Sequence, residues 1–362
     1  MCPALAGMLD SLTGRCNLSA LSWRLVSAAT NCHGCLLRSG RQGVWRAVKL
    51  RTTVYGHEGP GRVSCRAKGN AVKNMEHIIP SSAPLGAEVC GVDVAANPDD
   101  ATVARIKDAL HRYKVIVLRN QRITPERQVA FCGRFGTLEP HVLPQYLVPG
   151  YRDLVRVSNV QDDAGEPIGM IDAGRVWHSD GQFLEKPNMY SMLYALEVPH
   201  GANGVPLGAT LFASTAYAYA QLPASMRARL DGLKAVNSLA AVYAWLQRAN
   251  VAQRRAPLTE AQKGEVVHPV VRTHPVTGEK CLYVSRAATL RILGLAPAES
   301  DALIDELGAW SVREELVHTH RWQVGDLLLW DNCASQHFAV GDYALPQRRL
   351  MHRTTVGGNA TF

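Results

Sequence analysis

No hydrophobic stretch of this 362-residue chain approaches the roughly 20 apolar residues that a membrane-spanning helix needs. A soluble protein with no membrane partner is therefore expected. The body of the chain also lacks any Cys-x-x-Cys pair, because Cys90, Cys132, Cys281 and Cys333 are scattered singly. That argues against a disulfide framework and suits a reducing compartment. Acidic residues are nearly missing from the first 74 positions, which hold 11 Lys/Arg against only Asp10 and Glu58. The other 288 residues carry 28 basic and 29 acidic side chains, so the formal net charge of +8 resides in the N-terminal stretch. A nearly neutral body gives no electrostatic footprint for nucleic acid, and none is expected as a partner.

Residues 1–74 are rich in Arg, Ser, Gly and Cys and weakly periodic, unlike residues 75–362. Three readings compete for them: an upstream extension outside the working protein, a mitochondrial-type presequence, which is Arg-rich and acid-poor, and a small metal or redox module built on Cys32-His33-Gly34-Cys35. The last needs a second ligand pair, and none stands at a suitable spacing. We therefore expect a basic N-terminal extension over 1–74, a catalytic domain over 75–362, and a cytoplasmic protein, or a mitochondrial one if the extension is a presequence.

From Met75 the pattern becomes globular. Asp99-Asp100 opens a helix that carries Val103, Ile106, Leu110 and Tyr113 on one face. Lys114–Arg119 reads as a buried strand. Thr124-Pro125 starts a second helix, expected to run to Phe135 and stop at Gly136. Residues 139–176, rich in Pro and Gly, read as a loop that could serve as a lid. Strands are expected at 190–198, 210–212, 268–273 and 280–285, and helices at 214–233, 239–249 and 297–310. His320–Trp322 and Leu327–Trp330 read as a hairpin closed by Val324-Gly325-Asp326, with Arg348–Val356 as the last strand. Several short strands with helical insertions point to a mainly β fold: a double-stranded β-helix, or cupin-like jelly roll, with flanking and inserted helices.

The chemistry concentrates at Val176-Trp177-His178-Ser179-Asp180. In an extended chain residues i and i+2 face the same way, so His178 and Asp180 are presented together. An imidazole beside a carboxylate is two-thirds of the facial triad of non-haem Fe(II), which leaves three coordination positions open. A third ligand must come from elsewhere. His337, in Trp330-Asp331-Asn332-Cys333-Ala334-Ser335-Gln336-His337, is the leading candidate, with His318, His320 and His352 as alternatives. Downstream, Pro346-Gln347-Arg348-Arg349-Leu350-Met351-His352-Arg353 carries two arginines four residues apart. On a strand Arg349 and Arg353 share a face but stand about 13 Å apart, so they would serve different anions, while Arg348 points the other way into a surface salt bridge.

The ordered set of His-x-Asp, distant His and following arginines resembles the Fe(II)/2-oxoglutarate-dependent dioxygenases of the taurine dioxygenase (TauD/TfdA) type. The likeness runs from about Ile78 to Val356 and is densest at Trp177–Phe183, His268–Gly278 and Arg321–Arg353. It implies Fe(II), 2-oxoglutarate as cosubstrate and O2. The implied metal ligands are His178, Asp180 and His337, with Thr210 and Arg349 holding the distal carboxylate of 2-oxoglutarate. His141, Gly181 and Arg353 are implied for the primary substrate. Retention of Asp180, which related halogenases replace by a small residue, implies hydroxylation. Fe(II), Asp180, 2-oxoglutarate and one buried arginine sum to neutrality, which lowers the cost of burying them. Gly174 and Pro144 stand where taurine dioxygenase carries Asn and Tyr. The expected substrate is thus a small organic anion other than taurine: a sulfonate, sulfate ester, aryloxyalkanoate or other carboxylate, hydroxylated with release of succinate and CO2. A non-catalytic cupin-like binding protein is the alternative, and further copies of the chain are the only macromolecular partner the reading admits.

Overall fold

The continuous apolar runs Val115-Ile116-Val117-Leu118 and Leu327-Leu328-Leu329-Trp330 form adjacent strands buried on both faces. The computed structural model describes residues 77–362 except 142–143, 172 and 249–257, together with two short strands upstream. The chain divides into units 1–64 and 65–362. In the first, β1 (Leu37–Arg38) pairs antiparallel with β2 (Trp45–Arg46); the expectations for the rest of the extension lie outside the described residues.

The second unit is mainly β with helices. Its largest sheet contains β3 (Ile78–Pro80), β4 (Ala87–Val89), β5 (Val115–Leu118), β6 (Val155–Ser158), β7 (Tyr190–Glu197), β15 (Leu327–Asp331) and β17 (Leu350–Val356). Their order across it is β3-β4-β5-β15-β7-β17-β6, antiparallel except for β4 with β5. A three-stranded sheet runs β14 (Val317–His320), β8 (Thr210–Ser214), β16 (Ser335–Ala339). The pleat sends alternate residues to opposite faces. Ile116, Leu118, Leu327 and Leu329 pack against α1 (Asp100–Tyr113) and α2 (Pro125–Gly133), where Ile106, Leu110 and Phe131 complete one core. Val115, Val117, Leu328 and Trp330 face the other way and share a second core with Phe212 of β8 and Trp322. Burial on both sides explains why these strands read as unbroken apolar runs instead of alternating ones.

A third core, around Leu230, Val270, Leu282, Ile304 and Leu307, joins the remaining elements. These are β9 (Lys234–Ser238), flanked by β10 (Glu265–Pro269) and β13 (Thr289–Ile292), the ribbon of β11 (Val271–Thr273) and β12 (Lys280–Leu282), and helices α3 (Thr215–Ala220), α4 (Ala224–Leu230) and α6 (Pro297–Ser311). Helix α5 (Leu239–Arg248) lays Leu246 on Val176 beside the His-x-Asp stretch.

Helix starts follow the local chemistry. Asp99 accepts from Thr102 N at 2.8 Å and Thr124 from Arg127 N at 3.2 Å, each relieving one unpaired first-turn donor. Four expectations are corrected. Helix α2 ends at Gly133, before Gly136. The stretch 139–176 contains β6, an edge strand of the large sheet, as well as loop. The helix expected over 214–233 is two, α3 and α4, parted by Pro223, which cannot donate a helical N–H. The hairpin around Gly325 does not exist: β14 pairs with β8 and β15 with β5 and β7, so the turn carries the chain from one sheet to the other.

Candidate metal centre and cosubstrate cavity

His178 and His337 are directly paired across two antiparallel segments. His178 N donates to His337 O at 3.2 Å, and His337 N donates to His178 O at 2.9 Å. A reciprocal pair of this kind puts both side chains on one side, and the imidazole centroids lie 4.1 Å apart. Asp180, two residues on, joins them: its Oδ1 is 3.5 Å from His178 Nε2 and 3.9 Å from His337 Nε2. The three potential ligand atoms lie within 4.8 Å of one another. His178 Nδ1 donates to Val176 O at 2.7 Å, which leaves the Nε2 lone pair for a metal.

The second oxygen of Asp180 is fixed from behind. Asp180 Oδ2 accepts from Ser191 Oγ at 2.6 Å, Ser191 Oγ accepts from Asn332 Nδ2 at 3.0 Å, and Asn332 Oδ1 accepts from Trp330 Nε1 at 2.9 Å. Ser191 and Asn332 were not singled out by sequence. The only signal was a buried polar residue in or directly after an apolar strand: Ser191 inside Tyr190-Ser191-Met192, and Asn332 on the turn that follows Leu327–Asp331. Burial opposes ionisation of Asp180, but Arg353, with Nη1 3.7 Å from Oδ1, and the two imidazoles outweigh it and hold the carboxyl well below its usual range. Burial, helped by His178, pushes His337 down to about 3. A carboxylate with two converging imidazole nitrogens is the donor set that ferrous iron takes, so these residues fit the ion.

Beside this cluster lies a partly open cavity whose wall includes Thr210, Trp322, Trp330, His337, Arg349 and Arg353. Odd-numbered residues of β17 and its approach face inward, which puts Arg349, Met351 and Arg353 on the same side, as the strand reading required. Arg349 is buried; its backbone N donates to Asn159 Oδ1 at 2.8 Å and its O accepts from Ser158 Oγ at 2.8 Å. Its guanidinium carbon stands 5.9 Å from the Trp322 ring centroid and 5.8 Å from that of Tyr343. Thr210 Oγ1 accepts from Trp322 Nε1 at 3.0 Å, so its own proton is free to donate into the cavity. Gly208 (φ +68°) makes this packing possible, since a Cβ there would sit 2.9 Å from Tyr343 Cε1 and 3.2 Å from Arg349 Cδ.

Arg353 Nη2 meets His141 Nε2 at 3.2 Å, which joins two residues implied for the primary substrate. The buried Nε atoms of Arg349 and Arg353 have no protein acceptor. Gly174 lines the same cavity, where a Cβ would come 3.3 Å from His178 Cε1. Gly181 is placed differently: in a left-handed turn (φ +73°) it backs onto Asn188 and is absent from the cavity wall. Arg348 pairs with Glu197 at 2.7 and 3.0 Å on the surface. The alternative histidines are elsewhere: His320 bonds Asp326 at 3.1 Å, His318 stacks on Gly86, and His352 lies on the opposite face of β17.

The profile of the taurine catabolism dioxygenase TauD, TfdA family matches residues 77–355. An alpha-ketoglutarate-dependent sulfate ester dioxygenase of Pseudomonas putida is 35% identical over 285 residues, covering 77% of this chain and 88% of that protein. An alpha-ketoglutarate-dependent 2,4-dichlorophenoxyacetate dioxygenase of Cupriavidus pinatubonensis is 33% identical, covering 75% and 94%. The crystal structure of a taurine dioxygenase from Burkholderia xenovorans superposes with a TM-score of 0.65 at 31% identity, covering 79% and 90%. The chain belongs to the TauD, TfdA family and is a 2-oxoglutarate-dependent non-haem iron dioxygenase that uses Fe(II), 2-oxoglutarate and O2.

Proposed function

We propose that His178, Asp180 and His337 hold the ferrous ion, that Thr210 and Arg349 hold the distal carboxylate of 2-oxoglutarate, and that Arg353 with His141 receives the anionic group of a small organic substrate. The reaction is hydroxylation of that substrate with release of succinate and CO2. The fold behind it is a jelly roll, a reading supported by two sheets that share the core of Phe212, Leu328 and Met351.

The bound metal, with its cosubstrate and O2, supplies the oxidising power; the chain supplies ligation, orientation and exclusion of water. Ser191 keeps Asp180 turned with Oδ1 toward the histidines. The indoles of Trp322 and Trp330 wall the cavity against solvent. Arg349 offers a planar fork suited to a carboxylate. Gly181 shapes the wall indirectly, through the turn that follows Asp180.

The observation that carries the substrate class is Arg353. Arg353 already faces the Asp180 carboxylate and His141, yet its buried Nε lacks an acceptor, which leaves the guanidinium capacity for a second anion. Gly174, on the cavity wall against His178, offers no side-chain amide where taurine dioxygenase carries Asn, which favours alkyl or aryl sulfate esters, sulfonates and aryloxyalkanoates over taurine; the relatives named for sulfate esters and 2,4-dichlorophenoxyacetate point the same way. A panel of these compounds, scored by substrate-dependent succinate, tests the class. Arg353→Gln is expected to raise KM for the primary substrate and Arg349→Gln to raise KM for 2-oxoglutarate. Turnover stimulated only by neutral or cationic compounds, or interchanged effects of the two variants, would refute this assignment.

A further inference from the structure

Arg175 stands on the turn opened by Gly174 (φ +77°), directly before Val176-Trp177-His178. Its half-buried guanidinium lies flat against Gly341, where an added Cβ would come 2.5 Å from Cζ and 2.6 Å from Nη1. From there it reaches the ring of Tyr343, with Cζ 5.9 Å from the centroid. Arg349 approaches the same ring at 5.8 Å. Two cations therefore share one phenol. Among the described residues Arg175 has no hydrogen bond or ion pair, and the neighbouring acid Asp342 accepts from Gly208 N at 2.7 Å.

Such a placement is unfavourable without an anion. Burial disfavours the charged form of Arg349, Tyr343 and Asp342 offset part of that, and Arg175 adds repulsion. Fe(II), Asp180, 2-oxoglutarate and Arg349 are neutral together, so Arg175 is a further cation there, with Asp342 as the neighbouring acid that offsets part of the positive charge. It is also nearer to solvent than Arg349, which is only 3% exposed. A further cation on the solvent side of a low-dielectric cavity raises the local concentration of anions and their rate of entry.

We infer that Arg175, which stands off the cavity wall, is a cationic steering residue for 2-oxoglutarate, placed outside Arg349 on the ring of Tyr343 to draw the dianion into the cavity. The inference rests on the proposed role of Arg349. It is tested on the full chain loaded anaerobically with Fe(II), by following 2-oxoglutarate binding through the fluorescence of the cavity tryptophans in stopped flow. Arg175→Gln is expected to lower the association rate constant roughly 3- to 10-fold at low ionic strength and to converge on wild type near ~1 M salt. Gly341→Ala keeps the charge but displaces the guanidinium from Tyr343, and is expected to give a smaller loss in the same direction. With 2-oxovalerate, a monoanion with a methyl where the distal carboxylate would be, the loss in Arg175→Gln should be clearly smaller than with 2-oxoglutarate. Equal rates for 2-oxoglutarate at low salt would overturn the inference, as would an equal loss with 2-oxovalerate. If Arg349→Gln leaves 2-oxoglutarate affinity unchanged, the assignment of Arg349 has failed, and with it the ground for Arg175; if only Arg175→Gln is silent, Arg175 alone is wrong.

Discussion

Asp180 shows how much one side chain depends on residues far from it in sequence. Its partners His178, Ser191, Asn332, His337 and Arg353 come from five separate positions along the chain. Replacing His178, Asp180 or His337 by Ala should abolish iron binding and with it the charge-transfer band of the anaerobic Fe(II)–2-oxoglutarate complex. An unchanged band in the His337 variant would mean that the third ligand lies elsewhere. Ser191→Ala tests the support behind the ligand. Loss of an outer partner of this kind lowers metal affinity by roughly 10- to 100-fold, measurable by chelator competition, while the thermal midpoint of the metal-free protein should move little. The pairing of His178 with Asp180 and the shared inward face of the two arginines were legible because their spacing carries geometry: i, i+2 for His178 and Asp180, i, i+4 on a strand for Arg349 and Arg353. Ser191 and Asn332 were not, because a hydroxyl in an apolar strand, or an amide on the turn after one, gives no local sign of which distant carboxylate it meets.

Among the elements, β15 is tied to the turn after β11 by a buried pair. His274 Nε2 donates to Asp331 Oδ2 at 2.7 Å, and both side chains are fully buried. His274 Nδ1 accepts from Val276 N at 3.1 Å and Thr277 N at 3.0 Å, so each ring nitrogen is committed. Cys333 lies close enough for the three to pass as a second metal cluster. The committed nitrogens and a thiol whose pKa burial pushes up argue for a structural clasp instead. His274→Ala would leave Asp331 Oδ2 buried without its donor, while Oδ1 keeps Cys333 N, at a cost of about 1–3 kcal/mol. Urea unfolding measures it, and a midpoint equal to wild type would rule out the clasp. Adding Asp331→Asn should recover part of the loss, since a neutral amide costs less to bury alone. The Pro-Val-Thr-Gly turn was visible in sequence because turn residues act locally. The false hairpin at Gly325 arose where two strands adjacent in sequence pair with different sheets, a choice made by the cores on either side of β15 and not by the turn itself.

For the molecule as a whole, the charge asymmetry and the match beginning at residue 77 lead us to expect that a chain starting at Met75 folds and turns over substrate unaided; an insoluble or inactive product would show that residues 1–74 belong to the working protein. Acid sensitivity is a second property of the whole fold. Burial, with His320 and Arg119 nearby, pushes His318 down to about 4; burial beside Arg156 does the same to His352. Both groups are held neutral by folding, while in the unfolded chain each titrates near ~6.5. Between these values the unfolded state binds more protons, so stability must fall as pH falls. Their contribution is complete above about pH 6.5 and is lost as pH drops toward 4, by up to about 1.4 kcal/mol per pH unit for each histidine. Carboxylates held below their usual range, such as Glu197 against Arg348, add acid sensitivity only further down, as pH falls through their own lowered values. Equilibrium unfolding of the metal-free protein at about pH 7 and about pH 5 isolates the histidine part. The double variant His318→Gln, His352→Gln removes both titrations, so its stability should change less over that interval whatever its absolute value. A slope as steep as wild type would assign the acid sensitivity to other groups, with His337, which burial pushes down to about 3, next in line, followed by His111 and His268.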